Sequence, residues 1–234
     1  MVHAYRSTLF SDRYSTWLTW LVNGCLVIDM ETNTKSRAGR PWSFDREKAV
    51  EAAMRLFWRR GYEGVSIGDL TKEIGVAPPS LYAAFGGKAE LYQKAVSRYE
   101  ETLGGLDLAS IQSATSTAAA VRALLEGAVR AVTHPQLERG CMISSGMVAC
   151  HPDHASLARD AAARRDAMRE RIAEALRPFV GVDQVRPLAR HLAAVLQGIS
   201  IQARDGSEPA ELQEIVEDVV AGVEARFPKG ARKQ

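Results

Sequence analysis

The chain has 234 residues, 46% of them hydrophobic and 25% charged, with a formal net charge of +2. That length suits a small module joined to a larger one, and the apolar fraction is enough for a sizeable core. Bulk charge argues neither for nor against a nucleic-acid partner, and three cysteines (Cys25, Cys141, Cys150) without a Cys-x-x-Cys pair argue against a disulfide framework and for a reducing cytosol.

The most apolar early stretch, Trp17 to Ile28, is interrupted by Asn23-Gly24 and is too short to span a membrane. Arg6 and Arg13 precede it as in a signal peptide, but no small-x-small cleavage site follows and the next residues are charged. Residues 1–29 are therefore read as lying outside the folded protein, with Met30 as a natural start and residues 1–39 as an extension. A helix is expected after Phe44, capped by Asp45, with Ala49, Val50, Ala53, Met54 and Phe57 at three- and four-residue steps. Gly61 is expected to end it as a left-handed cap. Ser66 opens a second helix, and Ser66-Ile-Gly-Asp69 fits a capping box with Asp in place of Glu. Gly75 stops that helix. Pro79 to about Phe85 is a short third helix, since proline is tolerated in a first turn, and Gly86-Gly87 breaks it. A fourth begins near Lys88. Further helices are predicted over Thr117 to Thr133, Met142 to Cys150, Asp153 to Phe179, Asp183 to Arg204 and Pro209 to Phe227. No run alternates β-branched residues, so the class is all-α: an N-terminal helix-turn-helix domain over 40–90, a larger helical domain over 91–228, and a basic tail over 229–234.

Two short helices joined by a tight Gly-containing turn, with a third helix ahead of them, form the arrangement that lets one helix enter the major groove while its predecessor touches the backbone. An ordinary helical hairpin has the same spacing. Charge leans towards DNA: from Lys35 to Glu100 there are 12 Lys or Arg against 8 Asp or Glu, whereas from Glu101 to the end there are 16 against 17. Ser80 and Tyr82 present hydrogen-bonding groups on the outer side of the third helix, with Leu81 and Phe85 facing in. Thr71 and Lys72 flank the backbone side of the second helix. Lys88 combines an ammonium with a helix N-terminus, both favouring phosphate. Arg40, in Gly39-Arg-Pro41, is a candidate for a minor-groove arm.

Phe57-Trp-Arg-Arg-Gly-Tyr-Glu-Gly-Val-Ser66, Asp69-Leu70, Ile74-Gly-Val-Ala-Pro-Pro-Ser-Leu-Tyr-Ala-Ala-Phe85 and Lys88-Ala-Glu-Leu91 closely resemble the DNA-binding domain of the TetR family of bacterial regulators, over residues 40–90. The resemblance implies that Pro78, Pro79, Ser80, Tyr82 and Ala84 face bases or backbone. It also implies that Lys88 binds phosphate and that Ser66 and Ile67 touch the backbone. Pro78 with Ala77 and Ala84 leaves few long polar side chains for base edges, so Ser80, Tyr82, apolar contacts to thymine methyls and DNA shape carry the expected specificity. The implied activity is that of a cytoplasmic transcriptional regulator, by family default a repressor, bound to double-stranded operator DNA and released by an effector.

One recognition helix reads few base pairs, so such modules work in twos. The resemblance implies that the last two helices pair with their copies in a homodimer. Leu188, Leu192, Val195 and Ile199, with Gly198 for close approach, and Leu212, Ile215, Val219 and Val223 are the expected interface, although such stripes also serve as internal core. The segment Gly140 to His154 gathers soft and titratable groups. Cys141, Met142, Met147 and Cys150 are its sensor candidates: a thiol open to electrophiles or oxidants, a soft-metal site, or plain packing. The alternative is a small-molecule effector in an apolar pocket lined by Leu124, Met142, Met147, Met168 and Leu196. A helical thiol- or metal-dependent enzyme built on Cys141, Cys150, His151 and His154 is the rival class. The sequence offers it no His-Glu-x-x-His, Walker loop, Gly-x-Ser-x-Gly or dinucleotide fingerprint, and no cofactor or resident metal is expected.

Overall fold

A computed structural model describes residues 44–105 and 108–228. The expectations for residues 1–39, for Arg40 and for the tail over 229–234 lie outside the described residues. The first helix, α1 (Arg46–Arg60), starts where the Asp45 carboxylate accepts the backbone N–H groups of Glu47 and Lys48, satisfying two of the orphan donors of the first turn. It ends at Gly61, whose φ is +71° but whose ψ is 171°, an extended turn rather than the expected left-handed cap. Helix α2 (Ile67–Ile74) carries the capping box: the Asp69 N–H donates to the Ser66 hydroxyl, and the Ser66 N–H donates to the Asp69 carboxylate. Gly75, at φ 78° and ψ 33°, closes it in the left-handed region that glycine adopts without steric cost. Helix α3 (Pro78–Phe85) starts one residue before the expected Pro79, and α4 (Lys88–Thr102) follows after Gly86-Gly87.

A short α5 (Ala109–Gln112), not expected from the sequence, leads into α6 (Thr117–Val132), capped by Ser116. The helix expected over Met142 to Cys150 is only one turn, α7 (Met142–Ser145), because Gly146 turns extended and Met147 takes a φ of +52°. One 3-10 turn (Pro152–His154) then opens α8 (Ala155–Leu176). The last two helices are α9 (Val182–Asp205), stopped by Gly206 in the left-handed region, and α10 (Pro209–Arg226). No strand occurs among the described residues, so the class is all-α with an N-terminal helix-turn-helix.

Two apolar clusters hold the helices. One joins α1 to α4 and reaches Met142, Ile143 and Met147 around α7 and Leu157 and Ala161 of α8. The other packs α5, α6 and α10 with α9 and the end of α8. Cys141 and Met168 pack against both clusters, so the reading head and the larger helical part share a seam rather than a linker.

Polar ties cross that seam. Trp58, buried on α1, donates from Nε1 to the Gly140 carbonyl at 3.1 Å. The Arg204 guanidinium of α9 donates to the carbonyls of Trp58 (2.9 Å) and Arg59 (3.0 Å), two of the carbonyls that the end of α1 leaves without helical partners. Gly140, at φ +80°, is the residue that can sit there: a Cβ would meet the Arg204 side chain and, at 2.8 Å, the Ser200 carbonyl.

The expected dimer stripe needs correction. Leu188, Leu192 and Ile199 on α9 and Leu212 and Val223 on α10 are buried inside the chain's own core, while Val195, Ile215 and Val219 are only half-buried. The most apolar positions of an amphipathic helix go to the nearest core, which here is intramolecular. Among the residues α9 exposes are Pro187, His191, Ala194 and Ile201, with half-buried Gly198 between the last two. A Cβ at Gly198 or at Gly222 of α10 would meet nothing within 4 Å.

Candidate nucleic-acid interface

The turn between α2 and α3 is fixed by backbone bonds. The N–H groups of Gly75 and Val76 both donate to the Thr71 carbonyl, at 2.9 and 3.1 Å, and this closes the end of α2 within one residue. Leu70 of α2 and Leu81 of α3 are fully buried and pin the two helices to α1 and α4. Residues three and four apart on a helix share a face, so Leu81, Ala84 and Phe85 all turn inward. The opposite face of α3 presents Pro78, Pro79, Tyr82 and Ala83 to solvent. Tyr82 is 50% exposed, one of the few large apolar surfaces left uncovered. Ser80 is half-buried at the edge of this face.

One expected contact is overturned. Ala84 is 7% exposed and points into the head; its carbonyl accepts a 2.7 Å hydrogen bond from the Arg46 guanidinium, which also lies 5.4 Å from the centre of the Phe85 ring. The small residue on the outer face is its neighbour Ala83. Arg46 braces the end of α3 against α1, a role that nothing in the local sequence pattern marked.

On α2, Ser66 is exposed and Ile67 and Thr71 are half-buried, while Lys72 stands in solvent. The Thr71 hydroxyl donates to the Gly68 carbonyl at 3.0 Å, leaving its oxygen lone pairs outward. Asp69 is held below its ordinary pKa, first by the Ser66 hydroxyl and backbone N–H, then by Arg60. Lys88, at the start of α4, is not a free-standing cation: its Nζ lies 4.1 Å from the centre of the Tyr62 ring, and partial burial lowers its pKa against the opposing pull of Glu63. Glu63 in turn accepts the His151 N–H (3.0 Å) and lies 2.7 Å from His154 Nδ1. These bonds hold its pKa low, the backbone donor being the larger cause.

The sensor candidates separate. Cys141 caps α7, its sulfur accepting the Ser144 N–H at 3.5 Å, and it lines a cavity of about 130 Å³ together with Leu124, Met168 and Leu196. Met142 and Met147 are buried elsewhere in the head's apolar cluster, and Cys150 is half-buried beside it. His151 and His154 serve the Glu63 tie, and no group of three His, Cys, Asp or Glu among the described residues is arranged to hold a metal ion. Among the described residues no helix is long and apolar enough to cross a membrane.

Comparison with known proteins places this geometry. The sequence model of "Bacterial regulatory proteins, tetR family" matches residues 49–95, which span α1 to the middle of α4. The HTH-type transcriptional repressor ComR of Escherichia coli K12 is 30% identical over 81% of this chain and 94% of its own length. The HTH-type transcriptional repressor BdcR of the same organism is 30% identical over 78% and 91%. Among solved structures, a cysteine mutant of the TetR family transcriptional regulator CifR, complexed with 26-base-pair operator DNA, superposes with a TM-score of 0.73. It is 32% identical over 78% of this chain and 98% of that one. With an outward recognition helix, a capped α2 behind it and relatives of this kind along most of its length, the chain belongs to the TetR family and is a DNA-binding transcriptional regulator.

Proposed function

We propose that two copies of this chain hold their α3 helices in successive major grooves of operator DNA, about 34–36 Å apart, and repress a promoter until a small organic molecule releases them. The observation that carries this reading is the outward face of α3: Pro78, Pro79, Tyr82 and Ala83 are presented to solvent by a helix whose other side is locked by Leu81, Ala84 and Phe85. Ser66, Ile67, Thr71 and Lys72 take the phosphate backbone beside it, with Lys88 supplying charge from behind Tyr62 and Ser80 reading at the edge of the face. Repression follows the relatives ComR and BdcR, which are described as repressors.

Pairing is assigned to α9 and α10, which leave Ala194 and Ile201 exposed, Ile215 and Val219 half-buried, and Gly198 and Gly222 open to a close neighbour. Small residues let helix backbones approach, and such an exposed stripe suits a second copy packed in a four-helix bundle. The cavity beside Cys141 is the effector site. Its wall touches the head directly: Tyr99 meets Trp58 edge-on at 4.8 Å, and the Cys141 N–H donates to Ser200 of α9 at 2.8 Å. An effector that prefers one arrangement of this seam shifts the head by no more than its differential affinity for the two arrangements. The protein works in the cytoplasm, where its DNA is.

A gel shift against the promoter DNA flanking the gene tests the reading. Tyr82→Ala loses affinity by about 10- to 100-fold and relaxes sequence preference, whereas Lys72→Ala weakens all duplexes alike and lowers the salt slope by about one. If Tyr82→Ala binds the operator as tightly and as selectively as the natural protein, α3 is not the reading element.

A further inference from the structure

The cavity lies between the ends of α4 and α6, the α7 turn, α8 and α9. At about 130 Å³ it is smaller than the roughly 300–1,000 Å³ that drug-sized ligands and cofactors occupy. An engineered apolar cavity of about 150 Å³ in another protein holds one benzene molecule, which sets the scale. None of the described residues lining it is charged: Leu124, Val132, Met168 and Leu196 form the apolar walls, and Gly127 and Ala128 of α6 leave the space open.

Polarity is confined to one patch. Tyr99, Cys141 and Ser144 stand together there, the Ser144 N–H on the Cys141 sulfur and the Tyr99 hydroxyl against Cys141 and the Met142 backbone. Two of these groups are already engaged. The third, Ser144, is about nine-tenths buried and lines the cavity. A hydroxyl on the wall of a cavity offers an incoming molecule one donor and two acceptor positions. No lysine, arginine or histidine is among the described residues that line the cavity.

We infer that the cavity takes a compact, neutral, mostly apolar molecule, about one aromatic ring or an equivalent branched hydrocarbon in size, carrying a single hydroxyl or carbonyl that bonds Ser144. The inference rests on the cavity's being the effector site, and it names the class of effector. A carboxylate or ammonium would enter without a counter-charge, and a larger metabolite would have to project beyond the cavity.

Calorimetry on the purified full chain, with benzyl alcohol, toluene and benzoate as probes, tests it without DNA. Benzyl alcohol binds saturably, and benzoate, of similar shape but charged, binds at least about 100-fold more weakly. Ser144→Ala weakens benzyl alcohol about 2- to 10-fold and leaves toluene unchanged. Ala128→Phe fills the space and abolishes binding of both. Equal binding of benzoate and benzyl alcohol overturns the inference, as does the absence of saturable benzyl alcohol binding or a Ser144→Ala variant that binds both neutral probes as the natural protein does. Release of operator DNA by benzyl alcohol, followed separately by fluorescence anisotropy, reports on the effector role: bound probe without release sinks that role while the ligand class stands.

Discussion

Replacing Arg204 by methionine keeps much of the side-chain volume and removes the guanidinium that ties α9 to the end of α1. Two hydrogen bonds are lost, to the carbonyls of Trp58 at 2.9 Å and Arg59 at 3.0 Å, together with a longer one to the Ser145 hydroxyl at 3.4 Å. A hydrogen bond to a charged donor contributes about 1.5–3 kcal/mol where both partners are buried. Arg204 is half-buried, so water replaces part of what is removed, and about 2 kcal/mol in total is the expected cost. For a chain of this size that corresponds to a fall in Tm of about 4–8 °C. Thermal and urea unfolding at one fixed protein concentration measure it, since any pairing makes stability depend on concentration. Operator affinity falls as well, because the head is less firmly placed on α9, but the slope of log affinity against log salt stays the same because no phosphate contact has gone. A variant within about 0.5 kcal/mol of the natural protein would show that the seam does not need this tie, and a reduced salt slope would show that Arg204 touches DNA instead.

Ala83 and Ala84, adjacent and chemically identical, separate the outer face of α3 from its inner one. Ala84→Leu overpacks the head and destabilises by about 1–3 kcal/mol in urea unfolding, whereas Ala83→Leu stays within about 0.5 kcal/mol and changes DNA affinity instead; equal effects on stability would refute the placement of the helix. Acid provides a second check. Glu63 and Asp69 have pKa values below their ordinary 4.5 and 3.8, so their contribution to folding is fully present above about pH 4.5 and is lost as pH falls through the lowered folded-state values. The double variant Glu63→Gln, Asp69→Asn therefore loses less Tm between pH 6 and pH 3 than the natural protein, and an unchanged pH profile would remove both carboxylates from the account.

The helix starts were legible because they are written in capping chemistry that acts over three or four residues: Asp45 for α1, the Ser66–Asp69 pair for α2, and prolines for α3 and α10. The truncation of α7 was less so, although Gly146 was its signal: the apolar run through Met147 and Val148 hid a break that comes from Met147 turning left-handed. Ala84 was misplaced because its role was carried over from the family resemblance position by position, whereas with Leu81 and Phe85 seated in the head Ala84 shares their inward face. The dimer stripe was misread for a related reason. Strongly apolar residues such as Leu188, Leu192 and Leu212 mark whichever core is nearest, whereas the small residues Ala194, Gly198 and Gly222 proposed for pairing are ones that hydrophobic patterning does not register. Arg46 and Arg204 act over sequence separations of 38 and about 146 residues, beyond the reach of any local pattern.

The two prolines that open α3 carry a consequence for how an operator is gripped. A helix start ordinarily holds out free amide hydrogens to an anion, and Pro78 and Pro79 have none to give at its first two positions. In the proposed complex, α3 would thus have little hold of its own on the sugar-phosphate rail and would depend on the starts of α2 and α4 for its alignment along the duplex. Changes around Ser66, Gly68 or Lys88 would then slide or tilt the protein on DNA, and changes at Tyr82 or Ala83 would alter which bases it favours without moving it. Alignment and preference become separately adjustable, so a lineage could retarget such a regulator by altering one side chain while its footprint stays where it was.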